Sequence, residues 1–261
     1  MLVDKAPNQL KLPFALWTRK AVQEAIMQHH GVKLPIRTVG EYLSRWGFTP
    51  QKPVKRAYEQ QPEQVRKWLD EEYPHIARRA GKEKAEILWG DETGISNQDN
   101  RGRGYAPKGR TPVVYGPGKR FSTSMISAIS NKGLLRFMVY EGALQTETFL
   151  DFLKRLIKDN GRKVFLIVDN LRVHHATKVR EWVEAQQENI ELFFLPPYSP
   201  ELQPAEHLWP LVDEPLANTH FDTIDELDAI VATRCCHLHQ DQKTIAQHTK
   251  FHWWPEPIKP N

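Results

Sequence analysis

The feature that most constrains this chain is a stretch between Lys163 and Trp209 in which two short apolar runs each end in polar residues. Five consecutive apolar residues, Val164–Val168, are typical of a strand that is buried on both faces of a sheet. Asp169 and Asn170 follow at once. In open α/β sheets the carboxyl ends of the strands border the binding crevice, so this position favours a functional role for Asp169.

A second apolar run, Ile190–Leu195, leads into the proline-rich turn Pro196–Pro200. The chain then enters a short helix near Pro204, a residue that suits a first helical turn because no backbone N–H is needed there. Glu206 lies in that turn. The carboxylates of Asp169 and Glu206 are therefore predicted to leave neighbouring elements at one edge of a sheet.

A third acidic candidate follows an upstream run, Ala85–Gly90, which we predict to be a strand that ends before Asp91. Glu92 could replace Asp91 as a ligand, but consecutive side chains of a strand point to opposite faces. Three acidic residues at strand ends suit divalent cations, because Mg²⁺ prefers carboxylate and water oxygens. Spacing alone leaves ordinary turn chemistry as the competing explanation, since Asp is common where strands end.

Three segments carry a resemblance to a known family: WGDETGI at 89–95, LIVDNLRVHHA at 166–176 and LPPYSPELQPAEHLW at 195–209. They resemble the signature segments of DDE transposases of the Tc/mariner superfamily, in its bacterial insertion-sequence branch. The resemblance covers residues 14–254 and implies a ribonuclease-H-like catalytic domain. It also implies that Asp91, Asp169 and Glu206 are catalytic ligands of two Mg²⁺ or Mn²⁺ ions. Glu201 is a rival for Glu206, but the family motif matches Glu206.

The order of predicted elements agrees with an α/β fold of this kind. A hairpin of Ser122–Ser130 and Leu134–Glu141 follows the first strand, because Asn131-Lys132-Gly133 is a turn signal. A helix over Glu147–Asn160 and another over 176–187 alternate with the two apolar strands. The element order indicates a mixed sheet flanked by helices, and the strand order within it is implied by the resemblance.

Residues 1–57 form a basic segment, with ten Lys and Arg against three acidic residues, a net charge of +7. Since the whole chain carries +4, the remainder carries −3. Two helices, Arg19–His30 and Ile36–Trp46, joined by a tight turn predict a small all-α helix-turn-helix module. Its predicted DNA contacts are Arg37, Thr38, Ser44 and Arg45 on the second helix and Lys52, Lys55 and Arg56 in the basic tail that follows. From spacing alone, a plain helical hairpin explains the pattern equally well.

A second basic segment, 101–120, contains six basic residues and no acidic ones. One interpretation is a turn region that faces DNA near the metal ions, with Arg101, Arg103, Lys108 and Arg110 as contacts. The other is a solvated hairpin loop.

Further residues are predicted to support the site or to disturb it. Asn170, His174 and His175 are expected to shape the surroundings of Asp169. Pro210, which follows Trp209, is expected to distort the helix that begins near Glu206. Cys235 and Cys236 are adjacent rather than spaced, which disfavours both a disulfide framework and a structural zinc site.

We predict four parts: a helix-turn-helix module at 1–57, a helical connector at 58–84 that Pro74 interrupts, a catalytic domain at 85–241, and a tail at 242–261 packed on the body. The resemblance implies a DNA transposase that cuts element ends and joins them to target DNA, acting on double-stranded DNA as a homodimer. A nuclease-only or non-catalytic DNA-binding protein derived from a transposase is the alternative. The short N-terminal segment favours this alternative, because relatives carry another helix-turn-helix ahead of the one predicted here.

No stretch approaches the roughly 20 apolar residues of a membrane span, and no signal peptide opens the chain. We therefore expect a cytoplasmic, nucleoid-associated bacterial protein with no membrane partner.

Overall fold

The computed structural model describes residues 2–51, 61–98, 102, 104–111, 113 and 118–250. Five predicted DNA contacts lie outside the described residues, namely Lys52, Lys55, Arg56, Arg101 and Arg103. Two compact units divide the chain, Met1–Arg56 and Ala57–Asn261. Among the helices described, none combines the length and apolar character that crossing a membrane requires.

The first unit contains a short 3₁₀ helix, Pro7–Leu10, followed by α1 (Arg19–His30) and α2 (Ile36–Arg45). Thr18 caps α1, since its side-chain oxygen accepts a hydrogen bond from the N–H of Ala21 at 3.1 Å. Gly31 ends the helix in the left-handed conformation that glycine adopts without strain. Small apolar residues make the buried contact between the two helices: Ala21, Val22, Ala25 and Val39.

The second unit begins with a continuous helical segment, in which α3 (Pro62–Lys67) and α4 (Tyr73–Glu83) flank a π-helical turn, Trp68–Glu72. The predicted interruption at Pro74 is wrong. The N–H of Tyr73 donates to the carbonyl of Trp68, five residues back, so the chain turns more widely just before the proline. Pro74 then occupies the first turn of α4, where its missing N–H costs no hydrogen bond.

A five-stranded mixed sheet forms the centre of this unit. Its strands are β1 (Glu86–Ser96), β2 (Ser122–Ile129), β3 (Leu135–Tyr140), β4 (Val164–Val168) and β5 (Ile190–Phe194), in the order β3-β2-β1-β4-β5. The first three strands pair antiparallel, whereas β4 runs parallel to β1 and β5. The helices that follow are α5 (Thr146–Asn160), α6 (Thr177–Ala185), α7 (Trp209–Asp213), α8 (Ile224–Gln240) and α9 (Gln242–Thr249). The predicted ribonuclease-H-like fold class is confirmed.

The first strand is longer than predicted, and Asp91 lies inside it rather than beyond it. Pairing with β2 continues from Asp91, opposite Ser127, to the end of the strand at Ser96, opposite Ser122. Pairing with β4 reaches only as far as Trp89, opposite Ile167. Asp91 is therefore level with the point where β4 has ended, which leaves an opening beside it at the centre of the sheet.

Helices cover both faces of the sheet, and alternate strand residues serve the two layers. Leu88 belongs to the layer formed with α5 and α6, which contains Phe149, Leu153 and Val179. Trp89 belongs to the other layer, together with Trp68 and with residues of α7, α8 and α9 such as Val212, Val231 and Ile245.

The helix around Glu206 changes type. A 3₁₀ helix spans Pro204–Leu208, and α7 begins at Trp209. Pro210 therefore lies in the first turn of α7, so the change in geometry falls one residue before it. Further on, the part of the predicted tail that the structure describes is largely the helix α9, with Ile245 buried.

Candidate active site

A cleft of about 430 Å³ brings the three predicted acids together where β4 ends. Asp91 reaches it from β1, Asp169 directly follows β4, and Glu206 lies on the 3₁₀ helix. The other lining residues are amide, hydroxyl, proline and leucine side chains: Asn170, Leu171, Leu195, Pro196, Pro197, Tyr198, Ser199, Pro200 and Gln203. No Lys or Arg is among the residues described as lining it, so these side chains leave the acidic charges uncompensated.

Asp169 is held by two donors. Its Oδ1 accepts a hydrogen bond from the N–H of Leu171 at 2.9 Å, and the Nδ1 of His174 lies 3.1 Å from the same oxygen. Because an ionised carboxylate can only accept, we place the proton of His174 on Nδ1. Burial opposes ionisation of Asp169, but the hydrogen bonds from His174 and Leu171 outweigh it, and the pKa is lowered. Asp169 is thus ionised at neutral pH.

The pKa of Asp91 is shifted in the opposite direction to that of Asp169. Burial, followed by the negative charges of Glu92 and Glu206, raises its pKa to about 8. A backbone hydrogen bond at Glu92 and the indole N–H of Trp209, which lies 3.1 Å from Asp91 Oδ2, oppose that shift without cancelling it. Without a cation nearby, the structure therefore favours a protonated Asp91 at neutral pH.

Glu206 is more exposed than the other two acids. Partial burial of its carboxylate, followed by the charge of Glu201, raises its pKa. Glu201, the rival ligand, lies in the preceding 3₁₀ helix and is not among the described lining residues of the cleft.

Glu92 faces the other side of β1 and lines a separate depression beside α5, with Gln145, Thr146 and Glu147. Its carboxylate belongs to the one described group of three acidic or His residues with converging ligand atoms, which also contains Asp169 and His174, all within 4.8 Å of one another. This group differs from the predicted triple. Glu92 Oε2 and His174 Nε2 are buried without a hydrogen-bond partner among the described atoms. Alternation along the strand predicts that the side chain of Glu92 points away from the cleft that contains Asp91. Alternation does not predict that Glu92 lies near Asp169.

The other predicted supporting residues hold the loop after β4. The side-chain amide of Asn170 donates to the carbonyl of Leu195, which ties the end of β4 to the end of β5. His175 lies 3.2 Å from Asn170 Oδ1 and stacks on Phe194, with 4.2 Å between ring centroids. His174 is almost fully buried and contacts Phe149. These contacts fix the loop that carries Asp169.

The described DNA-contact candidates are mostly at the surface of their own units. Arg37, Ser44 and Arg45 are exposed on α2, whereas Thr38 is partly buried. Arg37 makes an exposed ion pair with Glu41 at 3.4 Å. In the second unit, Lys108 and Arg110 are exposed in a turn closed by the hydrogen bond from Arg110 N–H to Pro107 O.

The donor set of the cleft fits a divalent cation. Its acidic ligand atoms are carboxylate oxygens, the class that Mg²⁺ and Mn²⁺ prefer. Burial, followed by the charges of neighbouring acids, raises the pKa of Asp91 and of Glu206, and a bound cation would favour the ionised form of both.

Comparisons with known proteins agree with this geometry. The family model described as DDE superfamily endonuclease matches residues 86–228, and a winged helix-turn-helix model matches residues 13–72. The Tc1 transposase of Caenorhabditis elegans is 26% identical over 203 residues, which covers 72% of each chain.

Two solved structures of Mos1 transposase share the fold, each covering 90% of this chain and 80% of their own. A pre-cleavage transpososome has a TM-score of 0.55 at 16% identity, and a paired-end complex with Mg has a TM-score of 0.54 at 18% identity. The family model spans more than half of the chain, including all three acids of the cleft. The chain therefore belongs to the DDE endonuclease superfamily, and its resemblance to the DDE transposases of the Tc/mariner superfamily is confirmed.

Proposed function

We propose that this protein is a DNA transposase that cuts the ends of its element and joins them to target DNA. The observation that carries the proposal is the cleft at the end of β4, where Asp91, Asp169 and Glu206 meet without a basic side chain among the described lining residues. Family membership supports the same chemistry, since the matched model describes an endonuclease.

Asp91, Asp169 and Glu206 would hold two Mg²⁺ or Mn²⁺ ions. The Mos1 paired-end complex contains Mg, and the similar fold supports a divalent metal here. When bound, two such ions stabilise the attacking and leaving oxygens in a displacement at phosphorus. Asp169, ionised and held by His174, would be a fixed ligand. Asp91 would release its proton to solvent on binding a cation that compensates its charge.

The chemistry has two displacements. Water attacks a phosphodiester at the element end, a new P–O bond forms, and the bond to the 3′ oxygen breaks, leaving a 3′-hydroxyl and a 5′-phosphate. That 3′-hydroxyl then attacks a target phosphodiester. A new P–O bond joins the element to the target, and the bond to the target's 3′ oxygen breaks, leaving a 3′-hydroxyl on the cut target strand. No protein nucleophile is needed, so no Ser or Tyr is assigned.

DNA binding is assigned to the basic N-terminal module and to exposed basic residues of the catalytic unit. The winged helix-turn-helix match over 13–72 supports the module at 1–57, with Arg37, Thr38, Ser44 and Arg45 on α2 as its contacts. Lys108 and Arg110 are the exposed candidates in the second unit. Joining two ends calls for two copies of the site, so we propose a homodimer on double-stranded DNA, acting at the bacterial nucleoid.

Cleavage of a plasmid that carries the gene's own flanking DNA tests the proposal. Wild type is compared with Asp169→Ala and Glu206→Gln in Mg²⁺ or Mn²⁺. Glu201→Gln, in the 3₁₀ helix just before that of Glu206, is the matched control. We expect metal-dependent cuts at the flanks and joined products from wild type and from the control. Both site variants should lose cleavage while still binding DNA.

The other outcomes separate the alternatives. Cleavage without joined DNA would indicate a nuclease, and DNA binding without cleavage would indicate a non-catalytic binding protein. If Asp169→Ala cleaved normally, or if Glu201→Gln were as inactive as Glu206→Gln, the ligand assignment would be wrong.

A further inference from the structure

We infer that Trp209 is a positioning residue that holds the carboxylate of Asp91 in the orientation that cation binding requires. The Nε1–H of its indole donates to Asp91 Oδ2 at 3.1 Å, between residues 118 positions apart in the chain. Trp209 directly follows the 3₁₀ helix that carries Glu206. The bond therefore joins the segment of the third acid to the strand of the first. The inference rests on the proposed function and adds to it a residue that is not a ligand.

A second hydrogen bond joins the same two elements. The side-chain amide of Gln203 donates to the carbonyl of Gly90 at 2.8 Å, and Gln203 is only 3% exposed. The segment 203–209 thus bonds to two consecutive residues of β1, once on each side of Glu206. Two attachments fix both the distance and the rotation of this segment relative to β1. This pair of bonds therefore constrains the position of Glu206 relative to Asp91.

Indole has the chemistry that such a position needs. It donates one hydrogen bond and accepts none, so it holds an anionic oxygen without competing for the cation. It is also neutral, and it therefore adds no positive charge to repel a divalent ion. With Oδ2 held by Trp209, rotation of the Asp91 carboxylate is restrained.

Binding of Mn²⁺ alone to the full-length protein tests the inference. Isothermal titration calorimetry is run on wild type, Trp209→Phe and Trp182→Phe. Phenylalanine keeps an aromatic ring at 209 but removes the donor. Trp182 is a matched control, since it is a half-buried tryptophan that packs against the α5 and α6 layer of the same unit.

We expect about tenfold weaker Mn²⁺ binding in Trp209→Phe, because loss of an outer-shell hydrogen bond to a metal ligand typically lowers metal affinity about 10–100-fold. Trp182→Phe should bind as wild type does.

Cleavage provides the second measurement. The Mn²⁺ concentration that gives half-maximal cleavage should rise in Trp209→Phe by the same factor as the dissociation constant. The rate at saturating Mn²⁺ should recover most of the wild-type value. A merely structural defect would lower the saturated rate without shifting the metal dependence, and that result would overturn the inference.

A third variant separates folding from positioning. Replacing Trp209 with 3-benzothienylalanine keeps the shape of the ring system and substitutes sulfur for the N–H. This variant tests the hydrogen bond even if Trp209→Phe does not fold. Wild-type Mn²⁺ affinity in this variant would refute the role of the hydrogen bond while leaving the proposed function intact. If wild type itself bound no Mn²⁺, the proposed metal site would fail, and the inference with it.

Discussion

Replacing Asp91 with Asn should stabilise the metal-free protein while abolishing its activity. The cause is the raised pKa of Asp91, about 8 against an ordinary 3.8. A carboxyl group with a raised pKa binds its proton more tightly in the folded than in the unfolded chain. Asp91 therefore leaves the folded protein most stable below pH 3.8, where the carboxyl group is protonated in both states. The free energy of unfolding then falls as the pH rises, until the pH passes about 8. Asparagine keeps the shape of the protonated acid and has no such dependence.

The magnitude follows from the same shift. Between pH 3.8 and pH 7 each pH unit costs about 1.4 kcal/mol, which gives an upper limit of about 4 kcal/mol at pH 7. The amide adds donors that need partners in a half-buried site, and an unsatisfied one costs about 1–3 kcal/mol. We therefore expect Asp91→Asn to raise the free energy of unfolding by about 1–3 kcal/mol at pH 7. At pH 4, where the pKa shift contributes almost nothing, the cost of the amide remains and the variant should be less stable than wild type by about 1–3 kcal/mol.

Urea denaturation in the presence of EDTA, followed by near-UV circular dichroism at pH 4 and pH 7, measures this difference. Asp151→Asn is the control, because Asp151 forms an exposed ion pair with Lys154 on α5 and such pairs contribute little. Adding Mn²⁺ should stabilise wild type by mass action but not Asp91→Asn. A destabilised Asp91→Asn at pH 7, or an equal gain at both pH values, would refute the reasoning.

Two further predictions concern packing and DNA binding. Gly90→Ala should destabilise by about 1–3 kcal/mol and reduce cleavage, because a Cβ there would lie 3.0 Å from a methyl of Val168; Gly94→Ala, with open space around it, should change the free energy of unfolding in urea by less than about 0.5 kcal/mol. Replacing both Arg37 and Arg45 with Ala should weaken DNA binding and reduce the slope of log K against log salt by about 0.9 for each DNA phosphate that these arginines neutralise. Fluorescence anisotropy across a salt series measures that slope, and an unchanged slope would remove α2 from the DNA interface.

The sequence predicts the order of elements well because local hydrophobic patterns determine it. The extent of β1 is different. Asp91, Glu92 and the residues up to Gly94 have the composition of a turn, and only their pairing with β2, about 30 residues later, keeps them in a strand. Pro74 misleads for a similar reason, since the π turn before it depends on the backbone path rather than on a residue type.

For the site too, the sequence predicts some features and not others. Motif matching identifies the three acids that share the cleft, but it says nothing about which groups hold them. The contacts of Asp169 with His174 and of Asp91 with Trp209 depend on side-chain directions across separate elements. Glu92 adds a further lesson. Alternation along β1 correctly separates Glu92 from the cleft of Asp91, yet the ligand atoms of Glu92 and Asp169 lie within 4.8 Å of each other, while Asp169 also lines the cleft with Asp91.

The three acids of the cleft are therefore not equivalent, and the difference follows from where the chain places each one. Asp169 follows a strand that ends early, so a loop N–H and a buried imidazole can reach its carboxylate and keep it ionised. Asp91 is buried within a strand, and the charges of Glu92 and Glu206 lie near it, so its pKa is raised and a cation favours its ionised form. Glu206 is an exposed residue of a 3₁₀ helix whose segment is attached to β1 by the bonds of Gln203 and Trp209. In this site Asp169 is ionised at neutral pH, Asp91 is ionised when a cation is bound, and Glu206 is carried by a segment that two hydrogen bonds attach to β1. Its affinity for metal should depend on that attachment as much as on the acids themselves.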